Sequence, residues 1–205
     1  MHRHARIALS LAIALLLVPN VTYAATKAQF LDAMRKLWED HVTWTRLFIV
    51  SAAAGLPDKD ATTQRLLQNQ TDIGNAVADF YGRAAADKLT ALLKDHILIA
   101  ADIVTAAKAG DNAKVASSNK KWHDNAAEIA TFLHGANPKQ WPAATLQNAM
   151  NMHLDQTLDE ATHQLKGDYA ASVKDYDRVV QHILGMADVL SNGIIAQFPS
   201  KFTSK

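Results

Sequence analysis

Residues 27–54 read KAQFLDAMRKLWEDHVTWTRLFIVSAAA and run directly into Gly55-Leu56-Pro57. A helix turns about 100° per residue. With His41 set at zero, Phe30, Met34, Leu37, Trp38, Trp44, Thr45 and Phe48 fall within about 60° of it. The apolar residues form one stripe, and His41 lies at its centre. Gly55 suits a left-handed cap, and Pro57 cannot continue a helix. The stretch predicts a long amphipathic helix, from Lys27 to Ala54, with a titratable ring built into its buried face.

The same pattern repeats along the chain. A second helix, capped by Asp58 or Asp60, reaches Phe80 and breaks around Gly82. A third runs from about Ala84 to Ala109 and stops at Gly110. Asp111 or Asn112 caps the fourth, which ends at Gly135-Ala136-Asn137-Pro138. The fifth starts near Pro142, a favourable first-turn residue, and runs to Lys166 before Gly167. Asp168 caps the sixth, which continues to Gln197 and stops at Pro199. Short joints between long helices place sequence neighbours antiparallel. The prediction is an all-α fold, a single antiparallel bundle of about six helices over residues 25–205, and we find no internal repeat, low-complexity tract or interdomain linker.

Residues 1–24 read as a cleavable signal peptide. His2, Arg3, His4 and Arg6 form a basic start, Ile7 to Val18 an apolar stretch too short to span a bilayer, and Thr22-Tyr23-Ala24 a small-residue cleavage site. A periplasmic or secreted protein without stable membrane insertion after cleavage is the expectation. There is no cysteine, so disulfides, thiolate metal sites and cysteine nucleophiles are excluded together. Lys plus Arg number 21 and Asp plus Glu 20. A balance this close to neutral gives no electrostatic reason for nucleic acid as a partner.

Two further histidines behave like His41. On the third helix, Leu89, Leu92, Leu93, Ile99, Ala100 and Ile103 surround the direction of His96. On the fifth, Leu146, Ala149, Met150, Thr157, Glu160 and Gln164 surround that of His153, so that stripe is polar over its second half. Each of the three lies near the midpoint of its helix, and midpoints of antiparallel helices share one depth. The fourth helix adds Asn125 inside its apolar arc and Glu128 at its edge; the sixth stripe is almost wholly apolar. Two or three imidazoles with a carboxylate suit a transition metal held between helices. The candidate metal ligands are therefore His41, His96, His153, Glu160 and Glu128, for zinc, copper, iron or manganese. Trp44, Thr45, Asn125 and Thr157 are the candidate residues around a bound ion or small ligand.

The remaining polar residues fit quieter roles. His123, His134, His163 and His182 fall at stripe edges or outside them and are expected in solvent. Arg46 is placed to pair with Glu128 or Glu160. Trp38, Trp44, Trp122 and Trp141 suit core filling, caps or the lining of an apolar cavity. Met150 and Met152, beside His153, hint at copper. No Glu-x-x-His pair lies on a core face, and no HExxH, Gly-x-Ser-x-Gly or P-loop occurs.

The segments Leu37-Trp38-Glu39-Asp40-His41-Val42-Thr43-Trp44-Thr45-Arg46, Asp95-His96, Asn125-Ala126-Ala127-Glu128 and His153 with Thr157 and Glu160 resemble a family of uncharacterised bacterial helical-bundle proteins. The resemblance runs from about Leu31 to Pro199. Some of its members carry the names glycosyltransferase or acetylglutamate kinase, but this sequence has neither the nucleotide-binding loops nor the α/β alternation those activities need. The resemblance implies a helical bundle.

Three functions fit these residues. The first is an exported binding protein holding a transition-metal ion or small ligand between the first, third and fifth helices. The second is a non-catalytic structural or interaction protein whose core histidines are only hydrogen-bonded. The third is an acid–base enzyme with a Trp-lined cavity. Nothing in the sequence requires catalysis.

Overall fold

The computed structural model describes residues 25–203, and the signal-peptide expectation lies outside them. Thr26 opens the first helix: its side chain accepts from the Gln29 backbone, and the Gln29 side chain accepts in turn from the Thr26 backbone. Six α-helices follow, α1 Lys27–Ala54, α2 Lys59–Tyr81, α3 Arg83–Lys108, α4 Asn112–Ala136, α5 Ala143–Lys166 and α6 Tyr169–Gln197. One 3-10 turn follows α6 at Pro199–Lys201. The fold is an all-α bundle, as the periodicity predicts. Asp111 and Asp168 cap α4 and α6 through the Lys114 and Ala171 amides. Asp58 stands before α2 without a side-chain cap bond. The turn between α2 and α3 is the single residue Gly82, whose φ of 82° favours glycine.

The helices form a closed ring in which each packs on its sequence neighbours and α6 returns to α1. Phe30 meets Phe80, Leu37 meets Asn69 and Trp44 meets Arg65, so α1 and α2 run antiparallel. His41 meets His153 and Arg46 meets Glu160, so α1 and α5 run parallel. The odd-numbered helices also touch pairwise across the interior. The midpoints of α1, α3 and α5 therefore meet at one depth.

The core falls into two parts along the axis. The larger holds Met34, Trp38, Ile73, Leu93, Ile129, Ile183 and their neighbours. It is closed at its outer end by the rings of Phe30, Phe80, Phe198 and Phe202, with centroids 5.2–5.6 Å apart. The smaller holds Phe48, Ile49, Ala52, Leu66, Ile97, Val104 and Ala161. The joint between α4 and α5 folds inward: the Trp141 indole nitrogen abuts Gly193, where any Cβ would come within 2.1 Å of it, and Asn137 donates to the Gly193 carbonyl. Helix α6 alone among the described helices has the length and apolarity to cross a bilayer. Its apolar residues Val179, Ile183, Ala187, Leu190 and Ile194 are buried in this core.

Candidate functional site

His41, His96 and His153 sit where the two core parts meet, each no more than 4% exposed. The His41 and His153 ring centroids are 5.7 Å apart, and those of His96 and His153 are 6.2 Å apart. The sequence prediction that mid-helix histidines share one level holds. Trp38 stands edge-on to His41 at 5.8 Å, and Trp122 tilts over His96 at 5.1 Å. Among the described residues, no three His, Asp or Glu side chains are drawn together tightly enough to hold a metal ion as they stand.

Each hairpin repeats one device. Asn69 on α2 donates to the Leu37 carbonyl at 3.0 Å, Asn125 on α4 to Leu92 at 3.1 Å, and His182 Nε2 on α6 to Ala149 at 2.9 Å. Each of these carbonyls lies four residues before the axial histidine of its hairpin. A polar side chain on the outer helix thus latches the inner helix one turn from the ring it presents. The sequence shows no overt repeat because only a few positions recur, such as Val42, Ile97 and Leu154 after each histidine.

Burial sets the charge of the layer. It lowers the pKa of His41 to about 3, with the proximity of His96 adding to the effect and Gln70 opposing it. It lowers that of His96 to about 4 against a hydrogen bond that the ring donates to Asn125, and that of His153 well below the ordinary value, helped by His41, His96 and His182. All three rings are neutral at physiological pH. His96 Nδ1 lies 2.9 Å from Asn125 Oδ1. The Nδ1 atoms of His41 and His153 are buried without a hydrogen-bond partner. Cavities of about 40 Å³ lie on either side of the layer: one includes the three rings with Met34 and Met150, the other Thr45, Trp122 and Thr157. Such a space holds an ion or a water.

Comparison with protein-family models, curated proteins and solved structures finds no match.

Several candidate residues stand apart from the rings. Glu128 is exposed, in surface grooves with Lys88, Asp95 and Lys121, because its edge position turns outward at the α3–α4 contact. Glu160 is buried two turns beyond His153 and is bound to Arg46 at 3.1 Å, not to a histidine. Burial pushes its pKa up to about 7 even though Arg46 pulls it down. Arg46 also donates to Ser172, so this pair ties α1 to α5 and α6. Trp44 is half-buried beneath the Arg65 guanidinium, 5.2 Å from it. The Thr45 and Thr157 hydroxyls donate to the His41 and His153 carbonyls of their own helices, while their side chains line the second cavity. Met152 is 52% exposed and faces away from the site.

The four edge histidines are half-buried, each with a partner in the protein as well as partial access to solvent. His123 meets Asn151, His134 the Trp141 carbonyl, and His163 Asp175. His182 stacks on His153, with centroids 6.4 Å apart and planes 18° from parallel. It is the site residue that sequence reasoning missed. Its only signal in the sequence is its place at the edge of the α6 stripe, one residue before Ile183.

Proposed function

We propose that this chain is an exported metal-binding bundle protein, holding one transition-metal ion on the axis between His41, His96 and His153. The observation that carries this reading is the pair of buried, unpartnered Nδ1 atoms on His41 and His153, at the level where three neutral imidazoles face a small cavity. Buried nitrogens without partners are costly and rare. Neutral imidazole is the form that binds metal. Asn125 supports the reading, since a ligating histidine usually donates its other N–H to a nearby acceptor. Imidazoles sharing an ion through bonds of about 2.0–2.1 Å have centroids roughly 5 Å apart, so binding draws these rings together by about 1 Å. The layer holds no free carboxylate, because Glu160 pairs with Arg46 and Glu128 is outside. Copper and zinc suit such a nitrogen set better than oxygen-seeking manganese. The basic and apolar start of residues 1–24 supports export.

The second reading is a structural layer in which water satisfies the orphan nitrogens. The ring spacing favours it, since among the described residues no three ligating side chains stand close enough to hold an ion. Metal analysis by mass spectrometry separates the two, on protein purified without chelators beside a His41/His96/His153→Ala triple variant. Near-stoichiometric metal that disappears in the variant supports the axial site. No metal in either protein, and none taken up on titration with copper or zinc, overturns it in favour of the water-filled layer.

A further inference from the structure

The axial layer is enclosed by helices, so an ion needs a way in. On the α5–α6 face lies a surface groove of about 320 Å³, lined by Thr145, Ala149, Gln181, His182 and Gly185 among others. Nothing lies within 4 Å of where a Cβ on Gly185 would project. His182 is half-buried at the floor of the groove. Its Nε2 is fixed on the Ala149 carbonyl at 2.9 Å, so that atom carries the proton and Nδ1 holds the lone pair. The ring stacks on His153, which stacks in turn on His96, with planes 18° and 19° from parallel and centroids 6.4 and 6.2 Å apart. Four imidazoles thus run from the groove to the axis, with neighbouring centroids 5.7–6.4 Å apart.

We infer that His182 is the transfer ligand of the axial site, receiving a transition-metal ion from solvent in the α5–α6 groove and passing it to His153. This inference rests on the metal-binding reading above. The position of His182 accounts for its chemistry: it is the one ring of the four that reaches a groove, and its proton is already committed to a carbonyl. A transfer ligand lowers the barrier in both directions and leaves the end states alone. Its removal therefore slows binding and release together and spares affinity.

The test uses Cu(II) as the probe and tryptophan quenching as the signal, because Trp38 and Trp122 stand against His41 and His96. Stopped-flow mixing gives the association rate, and chelator challenge gives the dissociation rate. For His182→Gln, whose side-chain amide keeps a donor for the Ala149 carbonyl, both rates are expected to fall about tenfold or more, with dissociation constant and stoichiometry nearly unchanged. Gly185→Leu, which fills the groove and keeps the imidazole, is expected to slow both rates as well. Binding at parental rates in both variants overturns the transfer role alone. Loss of affinity in His182→Gln with an unchanged association rate also overturns it, by making His182 an ordinary ligand. Absence of Cu(II) binding by the parent protein overturns the axial reading itself.

Discussion

His96 Nδ1 lies 2.9 Å from Asn125 Oδ1, while Asn125 Nδ2 donates to the Leu92 carbonyl at 3.1 Å. With its amide nitrogen committed, Asn125 has only an acceptor to offer, so His96 must donate from Nδ1. The neutral ring then carries its lone pair on Nε2. Asn125→Ala leaves that N–H without a partner in a buried site, and we expect a loss of about 1–3 kcal/mol. Urea denaturation gives the loss, and nitrogen NMR of the imidazole reports the tautomer; a protonated Nε2 in the parent protein contradicts this assignment.

His153 offers the opposite case. Its Nδ1 has no partner to lose. An apolar side chain of similar shape in place of an unsatisfied polar one is close to neutral or stabilising. We expect metal-free His153→Leu to stay within about 1 kcal/mol of the parent in urea denaturation, with metal binding abolished. A large loss of metal-free stability would show that a water or side chain had been satisfying the ring.

Acid should weaken the fold, in a window set by groups that pull in opposite directions. The rings of His41 and His96 titrate at about 3 and about 4 when folded, and near 6.5 when unfolded. The unfolded chain therefore takes up protons first as pH falls through 6.5. At pH 5.5 each of these two buried neutral rings costs roughly 1 kcal/mol, and His153, also lowered by burial, acts in the same direction. Glu160 works the other way. Raised to about 7 from an ordinary 4.5, it protonates first in the folded state and offsets about 2 kcal/mol of that loss at pH 5.5. Asp188, lowered by its hydrogen bonds to Arg35, titrates below this window. Melting should fall between pH 7.5 and 5.5 in the metal-free protein, by roughly 2–4 °C for each kcal/mol lost. Glu160→Gln should enlarge the fall; an equal or smaller one would place the buried charge elsewhere.

Gly193 is where the α4–α5 joint docks on α6. A methyl group there would sit 2.1 Å from Trp141 Nε1. We expect Gly193→Ala to cost about 1–3 kcal/mol and to shift tryptophan emission to the red as the indole is displaced. Unchanged emission and stability would mean that the joint repacks freely.

Much of this was legible in the chain. Gly55, Gly110, Gly167 and Pro199 punctuate the helices, and the stripes around His41, His96 and His153 show which faces turn inward. The side-chain partners were harder to read. Glu128 and His182 both sit at the edge of a stripe, where a small rotation decides between solvent and a neighbour; Glu128 turned out and His182 turned in. Arg46 was paired in the sequence with either of two glutamates, and packing of α1 against α5 and α6 selected Glu160.

The sequence by itself determined the all-helical class, the six segments and the depth at which the three histidines lie. These follow from local periodicity, caps and helix length, which each segment carries alone. The tertiary structure decided which rings face one another, that Asn69, Asn125 and His182 latch equivalent carbonyls, and which carboxylates stay away from the axis. Those outcomes depend on helix rotation and on contacts between residues far apart in the chain, and close packing of all six stripes at once fixes them.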